Sequence, residues 1–136
     1  MLNRTGFSLI ELTLVVVIIG VIATISIPNY LAMQARAKEA DVIGCAHAVQ
    51  MAAENHAVLS GGVYSDLEAD LRPLLPYGLL LINAFSGDRT EPQFGSVAAT
   101  PGQVGIAVVI QNGISVGYTI TGFGRSEMVI SYTTGH

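Results

Sequence analysis

One acidic residue, Glu11, lies inside an otherwise uncharged apolar run that extends from Phe7 to Ile27. A carboxylate in hydrocarbon is costly, so an ionisable residue in a membrane-length segment is a candidate for function. If it is buried, it needs a cationic or hydrogen-bonding partner. The alternative is that Glu11 extends its carboxylate to the membrane interface and does nothing else.

Three further residues, Cys45, His47 and His56, are of types that bind metals or act as nucleophiles. Cys45 and His56 could share one face of a helix, but His47 points elsewhere and no carboxylate is fixed near all three. A zinc site needs three or four converging ligands. The spacing favours a packing cysteine and two surface or boundary histidines, and we predict no metal and no cofactor.

The acidic residues Asp66, Glu68 and Asp70 alternate in one short stretch. A calcium loop also needs a glycine and a distal glutamate at set positions, which this stretch lacks. The pattern is more typical of a solvated acidic face. Because the sequence also lacks a nucleophile elbow, a paired-carboxylate motif and a phosphate loop, we predict that the protein is not an enzyme.

Composition limits the size of the protein and its partners. The 136 residues suffice for one domain of ordinary size. Hydrophobic residues make up 51% and charged residues 12%, which fits one membrane-length segment joined to a modest globular part. The net charge is −4 and the six basic residues are scattered, so direct nucleic-acid binding is not expected. A single cysteine cannot form an intramolecular disulfide.

The apolar run from Phe7 to Ile27 spans 21 residues, which is enough to cross a bilayer as a helix. A secretory signal would have a small-residue cleavage site after such a run. Here the small residue at a junction is Gly6, which precedes the run, and bulky isoleucines and Pro28 lie at its end. This order is unusual for a secretory signal.

Residues 6–12, GFSLIEL, resemble the class III signal of type IV pilins and pseudopilins, and the similarity continues through the apolar helix to Tyr30. The resemblance implies that a prepilin peptidase cleaves between Gly6 and Phe7 and that the new amine of Phe7 is methylated. It also implies a partner for Glu11, namely the N-terminal amine of a neighbouring subunit in a filament. A buried charge pair of this kind can select the register of assembly.

Helical periodicity continues beyond the apolar run. Ser60-Gly61-Gly62 is a stop signal, so we predict one helix from Phe7 to Ser60. Gly20 should weaken this helix and Pro28 should kink it. The resemblance implies that the stretch between them can unwind in a filament, and the alternative is that both are tolerated membrane-helix residues. The apolar stripe beyond the run consists of Leu31, Ala35, Val42, Cys45, Val49, Ala52 and Leu59.

The C-terminal part has strand patterns. Asn112-Gly113 is a hairpin signal between two runs rich in β-branched residues, and Met128–Tyr132 is a third run. Tyr118 and Ile120 are expected on one face of the sheet and the neighbouring threonines on the other. The Val42–Val49 stripe of the helix is the available cover for the apolar face, which predicts an antiparallel meander against a helix.

These elements predict an α+β fold in which a long N-terminal helix packs on a small antiparallel sheet of about three strands. The expected segments are a leader (1–6), an apolar membrane and filament-core helix (7–29), an amphipathic helix (30–60) and a globular head with an αβ-loop (61–136).

The resemblance implies a structural subunit of a type IV pilus that serves adhesion, motility or DNA uptake. Its expected partners are identical subunits, membrane lipid before assembly, the prepilin peptidase and N-methyltransferase, and an inner-membrane platform with its ATPase machinery. The expected location is a single pass through the inner membrane and then an extracellular filament. Two alternatives are a pseudopilin in a periplasmic pseudopilus of a type II secretion or competence system, and a membrane-anchored binding domain that never polymerises.

Overall fold

The computed structural model describes residues 6–135, in which a 51-residue helix, α1, spans Leu9–Leu59. The chain divides into two compact units, one ending at Ala35 and the other beginning at Arg36. The predicted α+β fold is confirmed. Of the predicted leader, only Gly6 lies within the described residues.

The elements after α1 are short until the sheet begins. A one-turn helix, α2 (Glu68–Leu71), is followed by two 3₁₀ turns, Arg72–Leu74 and Pro76–Gly78. Prolines at the starts of these turns fit there because their fixed φ suits a first helical turn. The strands are β1 (Leu81–Ile82), β2 (Arg89–Glu91), β3 (Gln93–Phe94), β4 (Val104–Gln111), β5 (Ile114–Phe123) and β6 (Met128–Thr133).

The predicted meander is present as β4-β5-β6, all antiparallel. Asn112 and Gly113 have φ values of 52° and 80°, as a tight hairpin turn with two left-handed residues requires. The sheet has a fourth strand that the sequence did not indicate, because β3 pairs with β4 in parallel. Strands β1 and β2 form a separate antiparallel pair.

The core lies between the second half of α1 and the sheet. Val42 and Val49 are buried against a cluster that includes Tyr118 and Ile120, so the predicted helical cover is confirmed. The buried face of the helix ends at Ala57. The stripe therefore does not extend to Leu59, which is 75% exposed. The buried helix face also includes alanines that the predicted stripe omitted, at Ala46, Ala53 and Ala57.

The sheet face opposite Tyr118 and Ile120, on which the threonines of β5 were expected, is covered at Thr121. Thr121 is buried, and its hydroxyl accepts a hydrogen bond from the Ala98 N–H at 2.7 Å. The connection between β3 and β4 therefore covers this end of the second face. Alternation along a strand shows which residues share a face but does not show whether a distant loop covers it.

Candidate assembly site at the start of the long helix

The apolar part of α1 has no protein cover within the described chain. Its large apolar side chains from Phe7 to Ile27 are all between 44% and 80% exposed. Monomeric soluble proteins rarely expose a contiguous apolar surface of this extent, and such surfaces mark membrane or protein contacts. Exposure of this extent is typical of a segment that contacts lipid or other protein chains.

The polar groups of the segment are satisfied locally, as an apolar environment demands. The Thr13 hydroxyl donates to the Ile10 carbonyl at 2.9 Å, and the Thr24 hydroxyl donates to the Gly20 carbonyl at 2.8 Å. The helical backbone satisfies its own amides and carbonyls in the helix interior. Glu11 is therefore the one carboxylate that the described segment would carry into hydrocarbon.

Glu11 already has one partner within its own chain. The Ser8 N–H donates to Glu11 Oε2 at 2.9 Å, and Ser8 directly precedes the first helical residue, Leu9. This bond is one of the two reciprocal bonds of a capping box. The S-x-x-E pattern of residues 8–11 could have revealed it, but the sequence reasoning considered only the charge. An ionised carboxylate can accept several hydrogen bonds, so Glu11 retains capacity for a second donor.

Gly6 and Phe7, the predicted processing residues, are both exposed. A side chain on Gly6 would meet no atom within 4 Å, so packing in the described chain does not require glycine at this position. Phe7 is 72% exposed. Both residues are thus open to an external partner at the start of the apolar helix.

Gly20, Thr24 and Pro28 are spaced four residues apart along α1, which continues through Pro28. Pro28 has no N–H to donate to the Thr24 carbonyl one turn earlier. The Thr24 hydroxyl bonds the Gly20 carbonyl, and this kind of back-bonding often bends a helix. The stretch from Gly20 to Pro28 therefore combines three local weaknesses on one helix face.

The residues considered as metal ligands have separate partners. Cys45 Sγ lies 3.8 Å from the Ile82 carbonyl oxygen, and His47 Nδ1 lies 3.3 Å from Gln50 Oε1. Burial, followed by the nearby charges of Asp41 and Glu91, raises the pKa of the Cys45 thiol. Among residues 6–135, no three His, Cys, Asp or Glu side chains are grouped so as to hold a metal ion.

The three alternating carboxylates also diverge. Asp66 Oδ2 accepts from the Val108 N–H at 3.0 Å, and Asp70 Oδ2 accepts from the Ser65 hydroxyl at 2.6 Å. Glu68 forms an exposed ion pair with Arg72 at 2.9 Å. Asp66 and Asp70 therefore fasten the chain after α1 to its neighbours, and only Glu68 fits the expected solvated face.

Two tyrosines of the head bind the same carboxylate of α1. The Tyr118 hydroxyl donates to Glu54 Oε1 at 2.6 Å, and the Tyr64 hydroxyl donates to Glu54 Oε2 at 3.2 Å. Burial, together with the adjacent Glu54, raises the pKa of both phenols. These bonds fix the sheet and the segment after α1 to the helix.

The sequence reasoning also missed a buried carboxylate, Glu91, which is 1% exposed. Its Oε1 accepts from Asn83 Nδ2 and the Thr90 hydroxyl, both at 3.0 Å, and its Oε2 accepts from the Val104 N–H at 2.9 Å. The network ties the β1–β2 pair to the start of β4. No local pattern indicates it, because its partners come from three separate segments.

The fold and the site together define a class of protein in which an α+β head follows an exposed apolar helix. This helix carries a single carboxylate near its start. Helix Leu9–Leu59 is long and apolar enough to cross a membrane, judged by length and composition alone. The type IV major pilin protein PilA of Myxococcus xanthus (strain DK1622) is 56% identical to the chain over 39 residues, which are 29% of this chain and 17% of that pilin. The resemblance to the type IV pilins is thereby confirmed. No protein-family model and no solved structure matches the chain.

Proposed function

We propose that the protein is a non-enzymatic structural subunit of a type IV pilus, which polymerises through its N-terminal helices and serves adhesion, motility or DNA uptake. The observation that carries the proposal is the apolar helix, exposed along its length, with Glu11 at its start. The similarity to a major pilin supports it and favours a pilus over a pseudopilus of a secretion or competence system.

The proposed life cycle has two environments for the same helix. The subunit first waits in the inner membrane, where lipid covers the apolar side chains. The prepilin peptidase removes the leader after Gly6, and Phe7 is then methylated. An inner-membrane platform with its ATPase machinery extracts the subunit. Packing against identical helices then replaces lipid, and dispersion between closely packed helices drives the association.

In this proposal Glu11 has two simultaneous partners. One oxygen caps its own helix through the Ser8 N–H, as the structure of the single chain has it. The other accepts from the amine of Phe7 in a neighbouring subunit. A subunit in the wrong register would leave both charges unpaired in an apolar core, which is far more costly than the paired arrangement. The pair therefore selects one stagger.

The test compares wild type with Glu11→Gln and Glu11→Ala in cells, using electron microscopy of sheared surface material and mass spectrometry of the mature N-terminus. Glutamine keeps an acceptor for the Ser8 N–H but carries no charge, so it separates helix capping from charge pairing. We expect filaments that begin at methylated Phe7 in wild type. Both variants should be processed but remain in the membrane.

Normal filaments from Glu11→Gln would refute the charge pair and leave capping as the role of Glu11. Normal filaments from Glu11→Ala would refute both roles. A wild-type chain that is never cut after Gly6, or that forms no filament, would refute the pilin proposal itself. The membrane-anchored binding domain would then be the better account.

A further inference from the structure

The end of α1 brings a serine hydroxyl to a histidine ring. His56 lies in the last turn of the helix and Ser60 directly follows it, so the two side chains are four residues apart and share one face. Ser60 Oγ lies 3.3 Å from His56 Nε2. A serine hydroxyl is a weak nucleophile, and an adjacent general base is one of the ways in which proteins activate it.

The other ring nitrogen of His56 fixes the tautomer. His56 Nδ1 lies 3.2 Å from the Val63 carbonyl oxygen. A carbonyl oxygen can only accept, so a hydrogen bond here places the hydrogen of the neutral ring on Nδ1. Nε2 is then the unprotonated nitrogen, and it faces the Ser60 hydroxyl as an acceptor. The same bond orients the ring, as the third group of a nucleophile and base arrangement does.

A carboxylate lies near the nitrogen that would take up the proton of the serine. Asp70 Oδ2 is 3.9 Å from His56 Nε2, and the Ser65 hydroxyl donates to the same oxygen at 2.6 Å. The bond from Ser65 holds the Asp70 carboxylate in place. An imidazolium formed by proton transfer from Ser60 would therefore face an opposite charge, which stabilises it. The His56 side chain is 17% exposed, so water screens this attraction incompletely.

The approach to the Ser60 hydroxyl is open. Ser60 is exposed, and a methyl group added at Gly61 or Gly62 would meet no atom within 4 Å. Aliphatic side chains flank these residues along the chain, with Leu59 75% exposed and Val63 44% exposed. An electrophile with an aliphatic chain can therefore reach this end of the helix and remove apolar surface from water there.

We propose that Ser60 is a modification site that accepts an acyl group from an activated ester of an aliphatic acid. The Ser60 oxygen attacks the acyl carbon, and its proton passes to His56 Nε2. The bond from the acyl carbon to the leaving group then breaks, and the leaving group takes the proton from His56. The product is a serine ester, and nothing is oxidised or reduced. Each chain reacts once, so the step is a modification without turnover.

Acylation of the full-length protein in detergent tests this site. The probe is p-nitrophenyl butyrate at about pH 8, where an ordinary histidine is largely neutral. The release of p-nitrophenolate gives the rate, and mass spectrometry of proteolytic peptides gives the position of the butyryl group. We expect one butyryl group for each chain, on Ser60, and much slower labelling of the other exposed serines of the same molecule.

Three variants separate the nucleophile from the base. Ser60→Ala should lose the stoichiometric release of p-nitrophenolate. His56→Gln keeps a hydrogen-bond donor and an acceptor at the turn but provides no base, so labelling of Ser60 should slow by about 100-fold, as expected for the loss of a general base. Ser126→Ala is the matched control, because Ser126 is also exposed but lies in the turn between β5 and β6, and it should react like wild type.

Equal labelling of Ser60 and the other exposed serines in wild type would overturn the proposal, and this comparison does not depend on the folding of any variant. Equal rates at Ser60 in wild type and His56→Gln would also overturn it, since His56 would then not act as a base. A chain that is labelled only at Lys38 or at its N-terminal amine would refute it as well. None of these results bears on the proposed pilus, which is judged by filament formation.

Discussion

Replacing Glu91 by glutamine should destabilise the head, although the side chain keeps its shape. Glu91 accepts on both oxygens, from Asn83 and Thr90 on one side and from the Val104 N–H on the other. Glutamine has only one acceptor oxygen, so its amide must face a donor on one of these sides. Asn83 cannot adapt by flipping, because its Oδ1 accepts from the Phe85 and Ser86 amides.

The expected cost follows from this count of donors. One buried donor left without an acceptor costs about 1–3 kcal/mol, and Glu91→Gln strands one in either orientation. Glu91→Ala removes every acceptor and leaves a cavity. Thr90 is exposed and can bind water, whereas only one of the two Asn83 Nδ2 hydrogens keeps an acceptor, the Pro101 carbonyl at 3.3 Å. The Val104 N–H has no such alternative, so we expect alanine to cost about 1 kcal/mol more than glutamine.

Thermal unfolding of the full-length protein in detergent, followed by circular dichroism, measures the effect. For a domain near 100 residues, about 2 kcal/mol corresponds to a fall in Tm of about 10 °C. Glu127→Gln is the matched control, since Glu127 is exposed and surface substitutions usually change stability by less than about 0.5 kcal/mol. Equal Tm values for Glu91→Gln and Glu127→Gln would show that the buried network does not stabilise the head.

Three further predictions concern the packing of the sheet on α1. Tyr118→Phe removes the hydroxyl that donates to Glu54 and should cost about 1.5–3 kcal/mol in thermal unfolding. The pKa values of Tyr118 and Tyr64 are raised in the folded state, so these two phenols contribute their full stabilisation of the head below about pH 10. The free energy of unfolding should decline as the pH rises further. The decline should be shallower in Tyr118→Phe. Phenolate absorbance that rises at the same pH in the folded protein and in denaturant would contradict this. Gly122→Ala places a methyl group 2.6 Å from Ile130 Cγ2 and 2.9 Å from Val42 Cγ1, and should cost about 1–3 kcal/mol. An unchanged Tm would show that the packing around Gly122, between β5, β6 and α1, can adjust without loss of stability.

The elements of this protein that rest on neighbouring residues could be predicted from the sequence. The apolar run from Phe7 to Ile27 determines a membrane-length helix because its signal is continuous. The Asn112-Gly113 turn determines the hairpin because few dipeptides accept two left-handed residues. The Val42–Val49 stripe likewise identifies the helix face that meets the sheet, since helical period and burial are read from the same spacing.

The tertiary structure alone decided which distant groups satisfy one another. Glu91 looks like a surface residue in the sequence, yet it is buried because donors from β2, from β4 and from the residue that follows β1 converge on it. Thr121 has the spacing of an exposed strand residue, yet the Ala98 amide covers it. Periodicity is set by bond geometry within one element, whereas the burial of a polar group depends on partners that only the folded chain brings within 3 Å.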